Sequence, residues 1–129
     1  MAGATYLVSD YPAGATPLTG SSGNVANANA VATLTSAANR TAYITGFQIT
    51  SAGATVGLVV NVTVTGVITG TMTFNYVAPA GVLVMGAPLL VAFPKPVPAS
   101  AANTNIVVTL PALGAGNTNA AVSAQGYLI

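Results

Sequence analysis

Only three side chains in this 129-residue chain carry a full charge: Asp10, Arg40 and Lys95. The chain has no histidine, glutamate or cysteine. General acid–base catalysis needs two tunable groups in partnership, and a single carboxylate cannot form a pair. A serine or threonine nucleophile needs an adjacent base. The one amine on offer, Lys95, sits between Pro94 and Pro96 on a segment expected to be exposed, so a Ser–Lys dyad is remote. Zinc sites need His or Cys, and one Asp with backbone carbonyls would hold calcium only weakly. The sequence therefore predicts no enzyme, no catalytic residue, no cofactor and no metal.

What remains is contact chemistry. Asp10 and Arg40 are either separately solvated or joined in a salt bridge that fixes the N-terminal segment onto the body or onto a neighbour. Tyr6, Tyr11, Tyr43, Tyr76 and Tyr127 could stack sugars, although core or interface packing is their commoner role. From these sets, Tyr6, Tyr11, Asp10 and Arg40 are the candidate arm or interface contacts. Val59, Val67, Ile68 and Ile129 are candidate exposed hydrophobics, each with an ordinary packing explanation. Asn39-Arg40-Thr41 and Asn61-Val62-Thr63 match glycosylation acceptors. That motif is common by chance, and Met1–Tyr11 has neither the basic nor the apolar region of a signal peptide. Phe93-Pro94-Lys95-Pro96-Val97-Pro98 lacks the Pro-x-x-Pro spacing of an SH3 ligand; its prolines are expected to end the preceding strand in an extended segment, a stiff edge that blocks further strand pairing.

The elements that must position these residues repeat with a period of two. Met72, Phe74 and Tyr76 alternate with Thr71, Thr73 and Asn75. Val60, Val62 and Val64 alternate with Asn61, Thr63 and Thr65, and Ile106, Val108 and Leu110 with Asn105 and Thr109. Tyr43, Thr45, Phe47 and Ile49 are expected on one mainly apolar face, opposite Gly46, Gln48 and Thr50. Weaker runs lie at 31–36, 89–93 and 120–128. Gly, Pro and Ser clusters separate the runs, Gly66 and Gly70 flank an expected hairpin, and Pro79 to Pro88 is read as a longer connection. No window reads as a long amphipathic helix. The pattern predicts an all-β, antiparallel, jelly-roll-like β-sandwich of about seven or eight strands. Residues 31–129 form its body. Residues 1–30, rich in Gly, Ala, Ser, Thr and Asn, are expected to be an extended N-terminal arm.

Composition limits the partners. Charged residues make up 2% of the chain, where an ordinary domain has about a quarter. Two isolated cations cannot provide the clustered charge of a nucleic-acid interface, nor dock on an anionic membrane. The longest bulky apolar stretch, Val82–Phe93, is interrupted by Gly86 and Pro88 and is too short to span a bilayer. With so little repulsion between copies, self-association as a dimer or trimer is expected.

The stretch Thr41-Ala42-Tyr43-Ile44-Thr45-Gly46-Phe47-Gln48-Ile49-Thr50 resembles a strand of small phage virion proteins. So do Pro88-Leu89-Leu90-Val91-Ala92-Phe93-Pro94, Pro98-Ala99-Ser100-Ala101-Ala102-Asn103-Thr104, and Ala112-Leu113-Gly114-Ala115-Gly116-Asn117-Thr118-Asn119. Over residues 30–129 the chain is similar to head cement, or decoration, proteins of tailed phages, of the kind seen on Bordetella phage heads. The resemblance implies an oligomeric sandwich on the outer surface of the capsid, made in the host cytoplasm. Its partner would be the major capsid protein, and its work would be to bridge capsid subunits against internal DNA pressure. It brings no catalytic residues. A tail-fibre or adhesin module that binds a receptor or glycan is the alternative, and a self-polymerising shell protein is a third.

Overall fold

The computed structural model describes residues 11–129. Nine strands follow one another: β1 (Thr16–Ser21), β2 (Ala30–Leu34), β3 (Ala42–Ala54), β4 (Leu58–Thr65), β5 (Met72–Ala78), β6 (Gly81–Met85), β7 (Leu89–Pro98), β8 (Ile106–Leu110) and β9 (Asn119–Leu128). No helix occurs among the described residues. The strands form two antiparallel sheets. One has the order β1-β9-β3-β6, with β7 also on β3; the other is β2-β8-β4-β5. The inner faces of the two sheets meet in one apolar core, so the all-β sandwich expected from the alternation is present.

β4, β5 and β8 follow the period-two reading. Val62, Val64, Tyr76, Ile106, Val108 and Leu110 are buried, while Asn61, Thr73 and Asn75 face water. In the opposite sheet, Phe47 lies at the centre, edge-on to Phe74 at 5.3 Å and tilted against Phe93 at 6.3 Å. Such ring pairs add to the stability gained from burial alone.

β3 departs from the expected pattern. Its pairing with β9 steps from Ile44↔Gly126 to Gly46↔Gln125, which leaves Thr45 as an extra residue. A bulge of this kind reverses the side-chain phase of everything before it. Ala42 and Ile44 therefore point inward, and Tyr43 joins the outer face rather than sharing one with Phe47 and Ile49. The Thr45 hydroxyl donates to the Gln125 carbonyl at 3.1 Å, which pins the bulge. Beside it, Gly126 allows the strands to approach: a Cβ there would overlap the Tyr43 carbonyl oxygen.

Two further expectations are corrected. Within the segment read as an arm, Thr16–Ser21 pair with Ser123–Leu128 of β9, and Val25 bridges Ala120. Backbone pairing needs no apolar alternation, so this Thr/Gly/Ser strand left little trace in the sequence pattern; Leu18 and Val25 pack against the core. The sandwich therefore begins near residue 16. Strand β7 also runs on through its prolines to Pro98. It pairs on one side only, with β3, and the ladder jumps from Gly46↔Ala92 to Ile44↔Val97. Residues 93–96 bow out opposite Thr45, so Pro94 and Pro96 need no ladder partner.

Candidate interaction surface

The sandwich has one charged end and one apolar end. Among the described residues the charges are Arg40 and Lys95, both near the start of β3. Arg40 Nη2 donates to the Leu128 carbonyl at 3.1 Å and to the Gly14 carbonyl at 3.3 Å. It thus ties the chain before β1 to the end of β9. Asp10 and Tyr6, the other expected contacts, lie outside the described residues. Tyr11 stands edge-on to Tyr127 at 5.9 Å, and Tyr127 stacks on Tyr43 at 5.0 Å. These rings form an aromatic cluster on the outer face of the β1-β9-β3 sheet. Burial, and then the neighbouring Tyr43, push the Tyr127 hydroxyl above the usual tyrosine range.

The opposite end lies about 26 Å along β3, counted from Ile44 to Ala52. That is well beyond the Debye length of about 8 Å, so neither cation is felt there. Here β6 crosses the end of β3 through Ala52↔Met85 and Ala54↔Gly81. β6 is a strand where a loop was expected. Its side chains stand in water: Val82 is 82% exposed and Leu83 80%, with Val84 and Met85 beside them. Val56, Val59 and Val77 extend the apolar surface from the β3–β4 turn and the outer face of β4 and β5. Leu83 adopts φ of 63°, a left-handed conformation that costs a bulky L-residue energy and is concentrated at functional sites. Of the hydrophobics expected to be exposed, Val59, Ile68 and Ile129 are; Val67 is 2% exposed, because its bridge to Ala99 turns it into the core.

A cavity of about 410 Å³ opens behind this flap, between β5 and the β6–β7 connection. Val77, Pro79, Met85, Gly86, Pro88 and Leu89 supply most of its walls. Across β6, a second hollow of about 300 Å³ is bordered by Asn24, Thr50, Ala52, Asn119 and Ala121. Met85 borders both. Between them a buried hydrogen bond of 2.6 Å joins the Ser51 and Tyr76 hydroxyls. Tyr76 is therefore a core residue with one polar tie.

Asn117 supports this end from below. It is 4% exposed, and its Nδ2 donates to the Ala52, Gly53 and Asn119 carbonyls at 3.2, 3.1 and 3.1 Å. Its Oδ1 accepts from the Asn27 amide at 3.0 Å. One side chain thus clamps the end of β3, the start of β9 and the loop before β2. Asn-Thr-Asn occurs at 103–105 and again at 117–119, and the two turns differ. In the first, Asn103 takes φ of 60° and Asn105 Oδ1 accepts from the Ser36 amide, whereas the second is built around the Asn117 clamp.

No group of three metal-ligating His, Cys, Asp or Glu occurs among the described residues, and no helix is long and apolar enough to cross a membrane. Of the two glycosylation-like asparagines, Asn61 lies on β4 with Nδ2 bonded to Asn75 Oδ1 at 2.7 Å, and Asn39 takes φ of 61° in the turn before β3. No family model, curated protein or solved structure matches this chain. The sequence pattern hides the flap, because Pro79, Gly81, Gly86 and Pro88 mark residues 79–88 as a connection and mask the short strand between them.

Proposed function

We propose that this chain is a structural decoration protein of a tailed-phage head. It attaches to the outside of the shell and bridges copies of the major capsid protein without doing chemistry. The observation that carries this reading is the uncharged aliphatic flap of β6 at one end of a rigid sandwich. Monomeric soluble proteins rarely expose contiguous apolar patches of this kind unless the patch is an interaction site. Attachment through it would rest on burial, so salt would weaken it little. Dense repetition on a rigid lattice would amplify each weak contact.

The strand order supports a jelly-roll reading of the sandwich. The order β1-β9-β3-β6, with β7 also on β3, over β2-β8-β4-β5 fits an eight-stranded double Greek key if β6 and β7 together take the place of its seventh strand. That architecture is used by viral capsid proteins and also by lectins. The tail-fibre or adhesin reading draws less support. Two of the four described tyrosines, Tyr76 and Tyr127, are buried and offer no open ring face for a sugar.

The test is the number of copies of this chain in purified particles, by quantitative mass spectrometry against the major capsid protein. A simple lattice fraction is expected. A count in the tens or below would move the chain to the tail, and absence from particles would overturn both virion readings.

A further inference from the structure

The two long edges of the sandwich differ. At one, β1 and β2 close on each other: a Cβ on Gly20 would overlap the Thr33 carbonyl oxygen, and Ala30, Ala32 and Leu34 are fully buried. At the other, β5 and β7 stand apart. Met72, Phe74, Leu89, Val91 and Phe93 face the core there, yet each is only half-buried.

β5 pairs with β4 alone, in unbroken register from Leu58↔Ala78 to Val64↔Met72. Two observations fix the direction of its backbone groups. The Val77 carbonyl oxygen lies 3.2 Å from where a Cβ on Gly86 would be, so it faces away from β4. Asn61 and Asn75, opposite each other, join side chains at 2.7 Å, the close approach of a pair that shares no backbone hydrogen bonds. Backbone direction alternates along a strand, so the N–H and C=O groups of Thr73 and Asn75 also point to the free edge. Exposed edges are ordinarily blunted by proline, charge or a bulge. β7 carries its prolines; Met72–Ala78 carries none of these devices.

We propose that β5 is a strand-pairing edge at which a second copy of this chain docks, antiparallel, about a twofold axis at Phe74. Thr73 of each copy lies opposite Asn75 of the other, and the outward amides and carbonyls exchange two reciprocal pairs of hydrogen bonds. The two Phe74 rings meet on the axis and close the gap that leaves them half-buried. The chemistry of the rim selects a like copy. Self-pairing sets no like charges together, because β5 has none. Lys95, on β7 opposite Thr45, falls at opposite ends of the interface in the two copies. A seven-residue edge about 24 Å long on a sandwich about 20 Å deep buries roughly 500 Å² per copy. The total, about 1,000 Å², is at the lower limit for a specific interface, so the dimer is weak in solution, with Kd on the order of micromolar.

Sedimentation equilibrium of the purified full chain, from about 1 to about 200 μM, reads this directly. The weight-average mass rises with concentration toward two chains. Thr73→Pro removes an outward amide that β4 does not use; it keeps the far-UV spectrum and weakens association at least about tenfold. A double variant, Thr73→Cys with Asn75→Cys, forms a covalent dimer on mild oxidation in a chain with no other cysteine. A wild-type chain that stays monomeric across the range overturns the proposal. So does a dimer that Thr73→Pro leaves intact and the cysteine pair fails to link. Should Thr73→Pro unfold the chain, the cross-link alone decides. No capsid is present in these measurements, so their failure leaves the decoration reading standing.

Discussion

Asn117→Ala tests whether the clamp beneath the flap holds that end of the sandwich together. The two hydrogens of the Asn117 Nδ2 are shared among three carbonyls, one of them in a three-centre bond, and its Oδ1 accepts from an amide. A typical hydrogen bond contributes about 1 kcal/mol net, and a buried group left without a partner costs about 1–3 kcal/mol. Water can reach some of the freed groups, since only the bond to Gly53 is wholly buried. The expected loss is therefore about 3 kcal/mol, a large share of the roughly 5–15 kcal/mol that stabilises a domain. Asn117→Asp sharpens the argument. It keeps the acceptor for the Asn27 amide but turns a carboxylate oxygen toward three carbonyls, so at neutral pH it should cost more than alanine. The same surroundings raise that carboxyl's pKa in the folded state. Its penalty should then shrink as pH falls and the folded protein takes up the proton. Urea denaturation of the three proteins at pH 7 and at about pH 4 gives the free energies. A loss below about 1 kcal/mol for alanine, or an aspartate variant no worse than alanine at pH 7, would refute the clamp.

Ser51→Ala strands the buried Tyr76 hydroxyl and should cost about 1–3 kcal/mol; adding Tyr76→Phe should recover part of it, as a double-mutant cycle in urea would show. Tyr127 makes stability fall at alkaline pH. Burial raises its folded pKa above the ordinary value of about 10, so the unfolded chain ionises first and stability is lost as pH climbs from there toward the folded pKa. The alkaline slope of the urea midpoint should be shallower in Tyr127→Phe. On the flap, Leu83→Ser should leave the melting temperature within a few degrees, because that side chain is 80% exposed, yet it should weaken attachment to particles by several-fold or more in a sedimentation assay. Unchanged attachment would move the binding surface elsewhere.

Alternation of Val, Thr and aromatic residues determined much of this protein from the chain alone. Each step of a strand reverses the side chain, so Val62, Val64, Tyr76, Ile106, Val108 and Leu110 could only be a buried face. Composition likewise limited the charged side chains to three, with no histidine, cysteine or glutamate. Tertiary structure decided the rest. The Thr45 bulge, which moves Tyr43 to the outer face, depends on how β3 meets β9. β1 exists because β9 offers it a backbone edge, although its own residues have little apolar pattern. Asn117 follows Gly116 in an ordinary turn sequence, but it lies where the end of β3, the start of β9 and the loop before β2 converge. Met72–Ala78 reads as a strand and Val82–Met85 as part of a connection, yet both are strands with an uncovered side. Whether such a strand is covered depends on which neighbours arrive beside it, and periodicity carries no information about neighbours distant in the chain.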